Sequence, residues 1–156
     1  MADSHDNLYK IKRAVKLFNE NICSLVIHAG DFIAPFSARE LQSLNCPVKG
    51  VFGNCDGEKK GLEKAFQNLG EIQEAPFTFK HNNLNFLTIH LNLPLESYIS
   101  SGKYEVVIFA HTHKPEIHKE KNTLIINPGE IGGWLSGKST VSLLDTKTLS
   151  AKILTL

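Results

Sequence analysis

Cysteine is scarce in this chain: three among 156 residues, at Cys23, Cys46 and Cys55, with no C-x-x-C pair. An odd count without that spacing argues against a disulfide framework or a cysteine-rich zinc site and predicts reduced thiols in a cytoplasmic protein. Net charge is scarce too. Seventeen Lys and Arg face sixteen Asp and Glu, a formal +1, which leaves no basic field to hold an extended nucleic acid. Long apolar runs are missing. Stretches such as Val106 to Ala110 fall far short of the ~20 residues that cross a bilayer. The start, Met-Ala-Asp-Ser-His, lacks both the basic and the apolar part of a secretory signal. Repeats and low-complexity tracts are absent, so 42% hydrophobic and 21% charged residues predict one domain over 1–156. Against one Trp and one Met stand seven histidines, and their positions are the informative feature.

Leu8, Ile11, Ala14, Val15 and Phe18 fall at steps of three and four after Asp6-Asn7, which predicts an amphipathic helix starting near residue 7. Ser24 to His28 and Val48 to Phe52 have the look of buried strands that run out into polar loops. Helices are expected over Pro35 to Ser43 and from Lys60 to about Leu69. This strand, loop, helix rhythm implies right-handed crossovers and parallel strands whose C-terminal loops share one edge. Beyond Pro76 the texture turns strand-rich. A hairpin is expected from Phe77 to Phe79 and Leu84 to Ile89, a short helix over Leu95 to Ser101, and a strand over Val106 to Ala110. Further strands are expected at Glu116 to His118, Thr123 to Ile126, Ser139 to Asp145 and Leu149 to Leu154.

Polar residues recur where these strands end: Asp3-Ser4-His5, Gly30-Asp31, Gly53-Asn54-Cys55-Asp56, His90 and Ala110-His111-Thr112-His113. Two carboxylates, an amide oxygen and four imidazoles suit divalent Mn, Fe, Co, Ni or Zn better than Mg or Ca. Seven donors exceed what one ion takes while keeping an open position, so two ions sharing a carboxylate is the simpler arrangement, with Asp31 as the bridge. Gly30 and Gly53 let the backbone turn sharply beside these ligands.

The ordered series resembles the motifs D-x-H, G-D, G-N-[HCN]-[DE], lone H and G-H-x-H of the calcineurin-like metallophosphoesterase superfamily. It is most similar to the small bacterial and archaeal phosphodiesterases of the YfcE type, to which the eukaryotic retromer subunit is structurally related. Asp6-Asn7, Val26 to Phe32, Gly53 to Gly57 and Ile126-Asn127-Pro128-Gly129-Glu130 extend the likeness over essentially the whole chain. The resemblance implies an α/β sandwich of two mixed sheets flanked by helices. It implies two divalent ions, Mn foremost with Ni, Zn, Fe or Co able to replace it, and a small phosphodiester substrate. Asp3, His5, Asp31 and His113 would hold one ion; Asp31, Asn54, His90 and His111 the other. A water bridging the ions would attack phosphorus in line, with no side-chain nucleophile. Cys55 would lie near the leaving group, where larger relatives carry histidine. A homodimer or homotetramer is expected.

The chain also departs from the pattern. Ala110 replaces a glycine, which is tolerable if its φ is negative. Only Met1 and Ala2 precede Asp3 where the family has an apolar strand, so the first strand is expected to be missing and the anchoring of Asp3 and His5 to depend on what fills its place. A non-catalytic scaffold on the same fold, binding protein partners, is the alternative function. Among the remaining residues, His28 is expected either to steady Asp31 or to pack at its strand end. His81 and His118 are expected in solvent, Cys23 and Cys46 in the core, and Asp56 and Glu130 by default on the surface, with orientation of neighbouring groups as their alternative role. Trp134 is open between a pocket wall and a subunit contact. The loops Leu91 to Tyr98 and Gly129 to Lys138 are expected to choose the substrate.

Overall fold

The computed structural model describes residues 1–91 and 94–156. Its first helix, α1 (Leu8–Glu20), follows directly from the pattern: Ile11, Ala14, Val15 and Phe18 are buried on one face, and the Asn7 side chain accepts from the Lys10 N–H at 3.3 Å. Asp6 has another use, since its carboxylate accepts from Ala34 N at 3.1 Å and from the Ser37 hydroxyl, bracing the loop after the first strand.

That strand, β1 (Val26–His28), pairs in parallel with β2 (Val48–Val51), which pairs in parallel with β3 (Gly70–Gln73). Between them run α2 (Pro35–Arg39), with Pro35 in its first turn, a 3-10 turn over Glu40–Ser43, and α3 (Lys59–Phe66). The single helix expected over Pro35 to Ser43 is thus divided. Strand β3 went unpredicted because Gly-Glu-Ile-Gln carries one apolar residue and sits at an exposed edge.

The second sheet orders β4 (Phe77–His81), β5 (Leu84–Thr88), β6 (Val106–Ile108), β8 (Thr123–Asn127) and β7 (Glu116–Glu120), with α4 (Leu95–Ser100) packed beneath it. The strands β5, β6 and β8 are parallel, and hairpins close both edges, so this sheet is mixed. A third pair, β9 (Thr140–Asp145) with β10 (Ser150–Thr155), stands apart as an antiparallel hairpin. Among the described residues the layers are therefore a parallel sheet, a mixed sheet and this hairpin, flanked by helices. None of the described helices is long and apolar enough to cross a membrane.

Period-two alternation assigns each face of the mixed sheet. Phe86, Val106, Ile108, Leu124 and Ile126 pack toward the other sheet, with Ala2 and Ala29. Their neighbours Leu87, Ile89, Val107, Phe109 and Ile125 pack on Ile99 of α4. A third cluster joins α1, α2, the 3-10 turn and α3 to the parallel sheet through Phe18, Ala38, Leu41, Leu62, Phe66 and Val48. Burial on both faces explains why β6 and β8 read as continuous apolar runs.

Met1 and Ala2 lie buried beside β1. The Met1 amine donates to Ile27 O at 2.8 Å, Ala29 N to Met1 O at 2.9 Å, and Ile131 N to Ala2 O at 2.9 Å. The segment after them is held just as firmly: Asp3 N donates to Gly30 O at 3.0 Å, and Ser4 N and His5 N both donate to Asp31 O. Asp3 and His5 are therefore firmly anchored, which settles the concern raised by the short start.

Candidate metal centre

The parallel strands turn out their C-terminal loops at one edge, and the expected residues meet there. His5, Asp31, Asn54, Cys55, His111 and His113 line one open cleft of about 680 Å³. Asp3 and His90 lie buried behind it. Four nitrogen–oxygen pairs are spaced alike: His5 Nε2 stands 4.0 Å from Asp3 Oδ1 and 3.6 Å from Asp31 Oδ2, His90 Nε2 3.4 Å from Asp31 Oδ2, and His113 Nε2 3.7 Å from Asp3 Oδ1. Such gaps are long for hydrogen bonds, and they match the roughly 3–4 Å between two ligands that each lie ~2.1 Å from one ion.

The backbone supports this arrangement at a cost. Asp3, His5, Asp31, His111 and His113 all have positive φ, between 42° and 69°. Each disfavours an L-residue by about 1–2 kcal/mol, and such strain concentrates where function holds a side chain in place. Gly53 shows what the close approach requires: a Cβ there would stand 2.0 Å from Asp31 Oδ1 and 2.4 Å from Asp31 N. Ala110 has no positive φ, so its methyl is tolerated.

Two histidines donate from Nδ1 and turn Nε2 toward the cleft. A carbonyl only accepts, so the 2.8 Å contact of His90 Nδ1 with Ala29 O places the proton on Nδ1 and turns Nε2 toward Asp31 and Asn54. In the same way His113 Nδ1 donates to Glu130 Oε2 at 3.1 Å, and its Nε2 faces Asp3. His111 anchors the wall through its backbone, its N–H donating to Asp3 Oδ2 at 3.3 Å, and its ring lies 5.3 Å from that of His90.

The electrostatics divide. Burial pushes the Asp3 carboxyl up to about 6, against the pull of His113 and His90, and its Oδ1 has no hydrogen-bond partner. His5 is pushed down by burial, and its Nε2 is likewise unpartnered. Burial also acts on Asp31, but His90 and the Cys55 N–H at 2.9 Å outweigh it and hold this carboxyl well below the usual range. His90 is opposed by burial and favoured more by Asp31, so its proton affinity rises. The Cys55 thiol is pushed up to about 11 by burial and by the Asp31 charge.

Asp56 and Glu130 are buried and orient their neighbours, in place of the default surface position. The Asp56 carboxylate accepts from Asp31 N at 3.0 Å, Ile33 N at 2.8 Å and Gly53 N at 2.7 Å, locking together the loops that carry Asp31 and Asn54. Glu130 is fully buried, and its carboxylate accepts from His113 and from the N–H groups of Trp134, Leu135 and Ser136. Burial raises its pKa, but those donors, Ser136 first, bring it down to about 2. The sequence signal for both was position: each acid closes a loop that follows a strand, at Gly-Asn-Cys-Asp and at Asn-Pro-Gly-Glu.

Other expectations resolve individually. His28 packs on Phe32 with ring centroids 3.6 Å apart and bonds Ser4 Oγ at 3.2 Å; that hydroxyl donates to Asp31 O, so His28 reaches Asp31 only through Ser4. His81 is half-buried rather than solvated, its Nε2 3.2 Å from Ser24 Oγ. His118 is exposed beside Glu116. Cys23 and Cys46 are half-buried free thiols against the helical core. Of the loop Leu91 to Tyr98, Asn92 and Leu93 lie outside the described residues.

Carboxylates and imidazoles gathered on strand-end loops of an α/β sandwich are the setting of a metallophosphoesterase. Residues 1–149 match the calcineurin-like phosphoesterase superfamily domain, and the chain belongs to that family. A phosphodiesterase of Methanocaldococcus jannaschii is 36% identical over 151 residues, covering 94% of this chain and 91% of its own. A solved archaeal phosphodiesterase superposes with a TM-score of 0.96 at 34% identity, over 100% of this chain and 97% of that one. In fold alone, the chain resembles the Escherichia coli phosphoesterase YfcE (TM-score 0.68, 18% identity, 98% and 95% covered). The same holds for Vps29 of Chaetomium thermophilum (0.74, 15%, 100% and 93%).

Proposed function

We propose that this chain is a single-domain, cytoplasmic, homo-oligomeric phosphodiesterase that uses two divalent ions, Mn foremost, to hydrolyse a small phosphodiester. The observation that carries the proposal is the Asp3 carboxylate: fully buried, its Oδ1 without a hydrogen-bond partner, and faced by the Nε2 atoms of His5 and His113. A buried, unpaired carboxylate is costly, and a cation shared with those imidazoles removes the cost. Asp3, His5, Asp31 and His113 would hold one ion, and Asp31, Asn54, His90 and His111 the other. Bound there, the ions would neutralise phosphate charge and lower the pKa of a water.

The chain's own groups do the rest. Glu130 and Ala29 O hold the His113 and His90 rings by Nδ1, so Nε2 of each ring is the atom turned toward an ion. Asp56 fixes the spacing between Asp31 and the loop carrying Asn54 and Cys55. Cys55 is protonated at neutral pH and is therefore a poor nucleophile, which favours attack by water over a covalent phosphoenzyme. Its thiol lies by Asn54 Nδ2, at 3.2 Å, on the side assigned to the leaving group. Being so weak an acid, it serves good leaving groups better than poor ones.

Metal analysis combined with hydrolysis of bis(p-nitrophenyl) phosphate, with and without Mn, tests the proposal. Two ions per chain and Mn-dependent turnover are expected. Protein that takes up no metal and stays inactive with Mn overturns it and leaves the scaffold reading.

A further inference from the structure

One large residue at the cleft plays no part in that chemistry. Trp134 is 65% exposed and Leu135 76% exposed, and both line the same cleft as His5, Asp31 and His113. Aromatic surface left in water beside a reaction centre is unfavourable unless something covers it in use.

The indole is nevertheless fixed in place. Its Nε1–H donates to His5 O at 3.2 Å, and its backbone N–H donates to the buried Glu130 carboxylate at 3.0 Å. Its inner edge rests on Gly132, where a Cβ would stand 2.7 Å from Trp134 Cδ1 and 3.1 Å from Nε1. Gly132 thus provides the space in which the ring lies, and Gly133, at φ +69°, turns the chain back toward Ser139. A planar aromatic surface that is hydrogen-bonded at one edge, supported by backbone beneath and open toward the cleft is prepared for stacking, with little ordering left to do on binding.

Position selects the arm of the substrate that would stack. Trp134 is anchored to His5 O in the same cleft, and the leaving group is assigned above to Cys55, so the arm left for the indole is the retained one. Resting on the phosphodiesterase reading, we propose that Trp134, with Leu135 beside it, is a stacking shelf for a planar aromatic substituent on the retained arm of the diester, a nucleoside or an aryl alcohol. The shelf makes the enzyme selective for diesters whose product is an aromatic-bearing phosphomonoester.

Three p-nitrophenyl esters with one leaving group and different retained arms test this: methyl, phenyl and thymidine-5′ p-nitrophenyl phosphate. In Trp134→Ala the kcat/KM of the phenyl and thymidine esters, relative to the methyl ester, is expected to fall about ten-fold through KM. Trp134→Phe should restore the ratio and Trp134→Leu should not, which separates stacking from simple loss of bulk. Loss with the thymidine ester alone identifies a nucleoside arm; loss with both admits a simple aryl arm. Unchanged ratios, with or without a shift in oligomeric state, overturn the shelf and leave the diesterase standing. An equal fall for all three assigns Trp134 to the leaving group and overturns the proposal as well. Wild-type protein inactive on all three esters with Mn sinks the diesterase, and the shelf with it.

Discussion

The two halves of the centre are built from the same residue types, yet the protein treats them differently. Around Asp31 the polar atoms are satisfied from within: Cys55 N–H on one oxygen, His90 close to the other, and His90 itself between Ala29 O and Asn54 Oδ1. Around Asp3 they are not: Asp3 Oδ1 and His5 Nε2 are buried without partners. One half is organised by the protein alone; the other leaves two buried polar atoms unpaired, which on the proposed reading a cation would complete. Preorganisation and binding demand are thus separated across a gap of a few ångströms, with His5 reaching toward both carboxylates.

Replacing the shared ligand should collapse this difference. Asp31→Asn is expected to cost on the order of a thousand-fold in kcat/KM, because it weakens both ion sites at once. Activity equal to wild type would refute the bridging role.

A strut on one side only should reveal the asymmetry. Glu130→Gln keeps the shape but weakens the hold on His113, and about 10–100-fold lower affinity for one of two ions is expected, with the other unaffected. Equal weakening of both sites in a metal titration would show that the halves are not separable.

Stability in chelator offers a third probe. A carboxyl whose pKa is raised on folding binds its proton more tightly in the native state, so the metal-free protein loses stability from Asp3 as pH rises from about 4 through about 6. Asn carries no such charge, and metal-free Asp3→Asn should be about 1 kcal/mol more stable than wild type above pH 6, an advantage that fades toward pH 4. A denaturation series showing no pH dependence in the difference would remove the unmet charge from the account.

Smaller effects sharpen the picture of the Asp31 side. Cys55→His should raise turnover of poor leaving groups a few-fold relative to good ones, and an unchanged ratio would mean that protonation does not limit the rate. His118→Ala, in the exposed β7, should leave metal content and turnover at wild-type levels.

Much of this was legible in the order of residues. The parallel rhythm of β1 and β2, the hairpin β4–β5 and the buried β6 and β8 all follow from apolar runs bounded by turn residues, and the residues expected to bind metal, Asp3 and His5 apart, stood out because they sit where those runs stop. What escaped had physical reasons. Strand β3 is specified by pairing along Val48 to Val51 rather than by its own composition. Asp56 and Glu130 look like surface acids because a carboxylate's burial depends on the backbone N–H groups that converge on it, and a linear pattern does not display them. His81 looked solvated because its partner, Ser24, lies 57 residues away.

One carboxylate, that of Glu130, grips the His113 ring on one side and the turn carrying the sole tryptophan on the other. The His113 ring and the backbone of Trp134 share one clamp, so a shift of either disturbs the other's support. Tryptophan emission should therefore serve as an optical gauge of any ion that His113 holds.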